Sequence, residues 1–391
     1  MRMPQNLNPE MKKKLIIGIT AEPSVDLLNG QLDYFIKKGY EVYLMAPDAP
    51  RVTKFCAEEN APLLPIKIER TISPWKDLKS LFQIIGIFRK IKPDIVNLGT
   101  PKVSLVGMMA AKITGVPLRI YTCRGFRFEH EKGKMKSFLI FLEKIIASCS
   151  HKVICISNSV KDLGMKEGIF PDEKTVHIAK GSSNGINLTL FDPNAIDREK
   201  AAAAKQEYQL EGCFVFGYVG RIVDRKGIKE LYHAFDKYYK ENDKARLLMI
   251  GRPFWDQIAD PQLIEDYNNH PGIVMAGMKP QPEVPLYLSL MDVFVLPAWW
   301  EGFGNVLIQA AAMGVPIIST KATGCMDAVS DGFNGRLINP YSEGELVNML
   351  RYFYQHQPEI KQMGINGIEW AKNFRPEIIW EGMDEIYSTV K

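Results

Sequence analysis

Val293-Phe294-Val295-Leu296-Pro297-Ala298-Trp299-Trp300-Glu301-Gly302-Phe303-Gly304-Asn305-Val306-Leu307-Ile308-Gln309 decides how this chain folds. Residues 293–297 form an apolar run without alternation, the pattern of a strand buried on both faces of a parallel sheet. Residues 306–313 read as a helix ending at Gly314, and a second apolar run follows at 315–320. The glycines between strand and helix loosen the loop and leave backbone N–H groups unpaired at the positive end of the helix dipole. Such a corner suits phosphate. Glu301 lies just before the helix and Gln309 about one turn inside it, so one polar side chain can flank each side of a bound nucleotide sugar. The same pattern also builds an ordinary strand–loop–helix corner, and spacing alone does not separate the two.

Working outward, the rest of the chain repeats the theme. Residues 15–20, 41–46, 95–98, 119–123 and 152–157 are short β-rich runs, with helical stretches at 26–38, 77–90 and 103–114 between them. Strand–helix alternation punctuated by Gly39, Pro93 and Gly115-Val116-Pro117 predicts a doubly wound parallel sheet. A second sheet is predicted from 214–219, 246–250, 273–275, 293–296 and 317–319. With 391 residues, two domains are expected. We assign 1–11 to a loose tail, 12–190 to an N-terminal domain, 191–210 to a linker and 211–376 to a C-terminal domain. A final helix in 377–391 is expected to pack back on the first domain.

The apolar share of 46% indicates a globular protein, and the longest apolar runs fall short of the roughly 18–20 residues that span a bilayer. No signal peptide is visible. The six cysteines show no Cys-x-x-Cys spacing and mostly sit in apolar runs, as free thiols of a reducing cytoplasm would. The net charge of +4 conceals +11 in residues 1–190 and −7 in the remainder. A basic first half suits an anionic partner such as a phospholipid surface or a lipid-linked pyrophosphate, and equally a solvated surface with no partner. No nucleic-acid motif appears. No Gly-x-Gly-x-x-Gly follows a first strand, which argues against a nicotinamide dehydrogenase.

Gly220-Arg221-Ile222-Val223-Asp224-Arg225-Lys226-Gly227 follows the predicted strand 214–219 and opens a helix expected at 226–235. Arg221 and Lys226 can both point into the crevice at the carboxyl edge of the sheet, the arginine as a fork and the lysine as a point charge for a diphosphate. Arg225 is expected to be solvated. No Asp-x-Asp and no His/Cys/Asp cluster of metal spacing occurs, so no metal is expected and the protein cations take its place.

Glu301-Gly302-Phe303-Gly304-Asn305, Gln309 and Gly314-Val315-Pro316 resemble the donor-site signature of the family-four retaining glycosyltransferases of the GT-B type, and Gly220-Arg221 with Lys226-Gly227 matches that family's Gly-Arg…Lys-Gly motif. The resemblance covers about residues 12–385. It implies an α/β GT-B fold, two Rossmann-like doubly wound parallel-sheet domains facing a deep cleft. It also implies a retaining glycosyltransferase that moves a sugar from a nucleotide-diphosphate donor, a UDP-sugar, to a lipid-linked glycan in capsule or O-antigen assembly.

By the same resemblance Glu301 contacts the transferred sugar, while Arg221 and Lys226 stabilise the departing diphosphate. Phe303, Gly304 and Asn305 offer the donor their backbone N–H groups, and Gly220 and Val306 also line it. Gln309 stands where the family has a second glutamate for the ribose hydroxyls; an amide can still bond them but carries no charge.

In Tyr121-Thr122-Cys123-Arg124-Gly125-Phe126-Arg127 the family's histidine is replaced by Arg124, which cannot act as a base at neutral pH. A charge-stabilising or acceptor-binding role remains for Arg124, or a structural salt bridge, and Arg127 joins the acceptor side. Gly99-Thr100-Pro101-Lys102 resembles capsular-polysaccharide members, with Thr100 and Lys102 near an acceptor phosphate; ordinary helix capping explains the pattern equally. Ser182-Ser183-Asn184-Gly185-Ile186-Asn187 resembles the family's interdomain turn, and Gly251-Arg252-Pro253 departs from its usual Gly-Asp/Glu-Gly.

Residues 134–146, basic and very apolar, make either a membrane-interface helix or a core-facing one. The expected setting is cytoplasmic, peripheral on the inner face of the cell membrane. Two other readings stay open: a sugar-nucleotide 2-epimerase of the same fold, and a non-catalytic sugar-nucleotide or lipid-glycan binding protein.

Overall fold

The structure, a computed structural model, describes residues 12–69 and 73–390, so the expected tail at 1–11 lies outside the described residues. The chain divides into two compact units. One comprises the residues up to Cys155, Gly164–Val176 and those from Trp380 onward; the other comprises Ile156–Leu163 and His177–Ile379.

The strands of the first unit are β1 (Lys14–Gly18), β2 (Glu41–Ala46), β3 (Leu63–Pro65), β4 (Ile95–Leu98), β5 (Leu118–Cys123), β6 (Lys152–Cys155) and β7 (Thr175–His177). They lie in the order β3-β2-β1-β4-β5-β6-β7, with parallel pairing from β3 through β6. The second unit holds β8 (Phe214–Val219), β9 (Ala245–Ile250), β10 (Ile273–Gly277), β11 (Val293–Leu296), β12 (Ile317–Thr320) and β13 (Gly335–Ile338) in the order β10-β9-β8-β11-β12-β13. Both sheets reverse direction of growth once, between β1 and β4 and between β8 and β11. In such open α/β sheets, ligands bind beyond the carboxyl ends of the strands at that reversal. The two doubly wound, Rossmann-like sheets are thus present. β8 and β11 are buried at every position, which explains their unbroken apolar sequence.

β3, β7 and β13 have no counterpart among the predicted strands. Two of them are three residues long, all three edge their sheet or close to it, and half-buried positions replace the apolar run that marks a central strand. The helix expected at 26–38 is a 3-10 turn, Glu22–Leu27, and a separate helix, Gln31–Lys37, parted at Gly30 with φ +76°. The expected linker is also corrected. Within 191–210 lies the helix Arg198–Glu207, capped by Asp197, whose carboxylate accepts from the N–H groups of Glu199 and Lys200. Ala204 and the flanking Phe191 and Leu210 are buried in the core of the second unit, so the alanines serve helix propensity and packing. The last helix is Pro376–Tyr387. Its Trp380 lies against Tyr34, its Tyr387 against Phe35, and the Tyr387 hydroxyl accepts from Asn97 Nδ2 at 2.6 Å, all within the first unit.

Candidate functional site

The loops after β8 and β11 flank the reversal point of the second sheet, and they bring the predicted donor residues together. After β8 the chain turns through Gly220 at φ +153°, then a 3-10 turn, Asp224–Lys226, and Gly227 at φ +70°, before the helix Ile228–Tyr239 begins. The helix expected at 226–235 therefore starts later, because Gly227 takes the left-handed conformation that a side chain disfavours. A methyl group at Gly227 would also overlap the Pro297 carbonyl oxygen at the end of β11, so this glycine lets the two loops touch. The Trp299 N–H donates to the Arg225 carbonyl at 2.9 Å, fastening them further.

That contact delivers Lys226 to Glu301. Their side chains, 10% and 13% exposed, form an ion pair, and Arg225 Nη1 stands 3.8 Å from the same Glu301 oxygen. The Arg225 guanidinium also lies over the Trp300 ring, 4.8 Å from its centroid. Arg225 is thus part of the cluster, a correction to its expected solvated place. Spacing does not say which of two consecutive cations in a tight turn faces inward, and here both do. Arg221 packs over Phe254, as does Arg252 from the other side of the Gly251 turn. Burial alone pushes the Glu301 carboxyl up, but the fields of Lys226, then Arg225 and Arg221, outweigh it and hold the group below the usual carboxylate range. Three cations around one carboxylate leave a surplus of positive charge.

The expected corner at the next helix start follows directly. Gly304, at φ +72°, precedes the helix Asn305–Ala312, and no side chain caps that end. The first-turn N–H groups have no acceptor within the helix, apart from Leu307 N–H, which reaches back to the Gly304 carbonyl. Phe303 is buried against Phe374, so only its backbone can meet a ligand. Asn305, Val306 and Gln309 share the half-exposed face of this helix, with Leu307, Ile308 and Ala310 turned into the core. Gly220 uses its N–H on the Ile250 carbonyl, leaving its missing side chain as its contribution. Ser182 donates to the Asn305 side chain at 3.3 Å, which steadies the helix start.

In the first unit the acceptor-side candidates separate. The Thr100 hydroxyl accepts from Thr20 N–H and shares a hydrogen bond with the Thr20 hydroxyl, both at 2.7 Å. Thr20, in turn, accepts from Val103 N–H and so caps the helix Pro101–Ile113 in place of Thr100. Lys102 is 8% exposed and paired with Asp77 at 2.6 Å. Both residues thus carry a bond that holds the fold, Thr100 to Thr20 and Lys102 to Asp77. Thr20 and Asp77 lie far off in sequence, so no local pattern announced them. Arg127 is exposed at the start of a 3-10 turn, Arg127–His130.

Arg124 sits after β5, against Gly99, where any side chain would overlap its guanidinium. Its Nε is buried without a hydrogen-bond partner, and no carboxylate pairs with it among the described residues. The structural salt bridge is therefore not its role. Burial draws its pKa down to about 10. A guanidinium so held is short of an anion.

All six cysteines are free, five of them buried. No three His, Cys, Asp or Glu side chains cluster as metal ligands among the described residues. None of the described helices is long and apolar enough to cross a membrane.

Two Rossmann-like sheets, with a cationic cluster beside an uncapped helix start at the reversal of the second, make the GT-B architecture, and the chain belongs to the glycosyl transferases group 1 family. Residues 200–370 match the model described as glycosyl transferases group 1, and residues 22–157 match glycosyl transferase 4-like. The chain is 35% identical over 378 residues to the capsular polysaccharide biosynthesis glycosyltransferase CapM of Staphylococcus aureus, covering 96% of this chain and 97% of that protein. It is 29% identical over 325 residues to the UDP-Gal:alpha-D-GlcNAc-diphosphoundecaprenol alpha-1,3-galactosyltransferase of Escherichia coli, covering 80% and 79%. Among solved structures, a glycosyltransferase from Rickettsia africae superposes with a TM-score of 0.80 at 19% identity, covering 97% of this chain and 98% of that one, which shows the shared fold.

Proposed function

We propose that this glycosyltransferase moves a sugar from a UDP-sugar, with retention at the anomeric carbon, onto a lipid-pyrophosphate-linked glycan during capsule or O-antigen assembly. The observation that carries the reading is the Glu301 carboxylate surrounded by Lys226, Arg225 and Arg221 where β8 and β11 end. The lipid-diphosphate acceptor and UDP donor are supported by the named activity of the E. coli relative, and the capsular setting by that of the S. aureus relative.

In this reading the donor diphosphate lies on Arg221 and Lys226, with its oxygens against the first-turn N–H groups after Gly304. Negative charge grows on the diphosphate as the bond to the anomeric carbon breaks, and cations already in place there favour the transition state over the ground state. Glu301, kept ionised by its neighbours, orients the hydroxyls of the sugar. Gln309, a turn along the same helix, meets the ribose. The acceptor hydroxyl bonds to the anomeric carbon on the face the diphosphate leaves, and its proton passes to the departing diphosphate. The protein needs no base at Arg124, whose unpaired guanidinium instead takes an anionic group of the acceptor, with Arg127 at its edge. With protein cations on the diphosphate, transfer requires no divalent metal. The basic first half holds the enzyme on the anionic inner face of a membrane.

The test is a transfer assay with UDP-sugars and undecaprenyl-diphosphate-linked acceptors, with and without EDTA. Product of retained configuration in both is expected. Epimerised UDP-N-acetylglucosamine formed without any acceptor would instead support the epimerase reading, and no turnover of any donor would support a binding protein.

A further inference from the structure

The helices Pro74–Ile91 and Gly133–Cys149 both pack beside Pro101–Ile113. Right-handed crossovers from β3 through β6 put all three on one face of the first sheet. A surface helix of this kind should turn polar residues outward. These two do not. On Pro74–Ile91 the outward stripe is Trp75, Leu78, Lys79, Phe82, Gly86 and Arg89, with Trp75 80% and Phe82 65% exposed. On Gly133–Cys149 it runs through Lys134, Phe138, Phe141 and Lys144, with Phe141 57% exposed and Met135 beside it.

Charge on these helices is sorted in a way that ordinary solvation does not need. Each contains one acid, and both acids are withdrawn. Asp77 is paired with Lys102, and Glu143 is buried, accepting from the Tyr121 hydroxyl at 2.8 Å. Lys76 and Lys136 are matched by Glu69 and Glu167. What remains outward is large apolar side chains ringed by Lys79, Arg89, Lys90, Lys134 and Lys144. Exposed aromatic clusters of this size mark a surface that another phase or partner covers. A second copy of the same face would set lysine against lysine, so self-association is disfavoured. An anionic lipid surface meets both properties, since tryptophan and phenylalanine settle at the headgroup level while lysines reach the phosphates.

We propose that the paired outer faces of Pro74–Ile91 and Gly133–Cys149 dock on an anionic phospholipid surface, with Trp75, Phe82, Phe138 and Phe141 inserted at the headgroup level. This names the surface behind the peripheral membrane contact proposed above and rests on that reading.

The test is co-sedimentation of the full-length protein with vesicles of phosphatidylcholine alone or mixed with phosphatidylglycerol, using no donor or acceptor. Binding to the mixed vesicles only, reduced by added salt, is expected. W75S/F82S and F138S/F141S should each lower the bound fraction about tenfold while retaining the wild-type melting temperature. The same variants should keep transfer to a detergent-solubilised acceptor. Equal binding by the variants, or no preference for the anionic vesicles, would overturn the proposal and leave the transferase assignment intact. A dimer in solution that W75S/F82S dissolves would overturn it in favour of self-association. Failure of all transfer with vesicle binding preserved would sink the transferase reading alone.

Discussion

Lys226 and Glu301, delivered by loops from β8 and β11, form a nearly buried ion pair at the reversal of the second sheet, and Arg225 shares the same carboxylate oxygen. The arrangement joins the two halves of the donor signature into one charged unit, so changes at any member should be felt by the others.

Removing the acid should expose that coupling. In Glu301→Gln, Lys226 keeps its burial and loses its counter-charge, a defect on the order of 3 kcal/mol. Turnover is expected to fall by about two orders of magnitude. The check is a thermal melt beside a transfer assay, and a variant that melts like wild type would contradict the pairing.

The pH sign follows from the lowered Glu301 pKa. A carboxyl depressed in the folded state contributes stability above its unfolded pKa and loses it as pH falls through the folded value. Wild-type protein should therefore hold its donor site intact down through the ordinary glutamate range. Glu301→Gln should show a flatter acid limb in melts followed across that range.

Arg225 is predicted to act through Glu301. Arg225→Ala deletes both the 3.8 Å ion pair and the stacking over Trp300, and should lower kcat/KM about tenfold. Arg225→Lys keeps the charge without the planar stack and should fall between. Steady-state kinetics on the three proteins would reveal equal values if the cluster were merely a surface ornament.

Gly227→Ala should be costly out of proportion to its size. Its φ of +70° and the overlap with the Pro297 carbonyl oxygen together predict a loss of about 2–4 kcal/mol and weakened donor binding. Urea denaturation with calorimetric UDP titration checks both halves.

Glu143 offers a prediction for the first unit. Burial lifts its carboxyl to about 7, above its unfolded value. The associated stability is fully present below the unfolded pKa and is lost as pH rises through about 7, on the order of 3 kcal/mol in all. Glu143→Gln should remove that dependence, visible as melting temperatures that no longer fall between mildly acidic and neutral pH.

The central sheets were legible because a strand buried on both faces has to be apolar throughout. The bounds of β8 and β11, buried at every position, follow from that alone. Edge strands β3 and β13 carry no such demand and leave no such trace. Glu301, Lys226 and the Gly304 corner were readable because glycine spacing and charge type constrain them locally. Arg225 was not, since its inward turn depends on Trp300 arriving from another loop. The bonds of Thr100 to Thr20 and of Lys102 to Asp77 were not readable either, because those partners lie far off in sequence.

The most direct test of the donor site compares wild type with Lys226→Ala in transfer from a UDP-sugar to an undecaprenyl-diphosphate-linked acceptor, with melting temperatures taken in parallel. The account predicts a folded variant whose transfer is down by at least about two orders of magnitude. Transfer at the wild-type rate by a folded Lys226→Ala protein would contradict it.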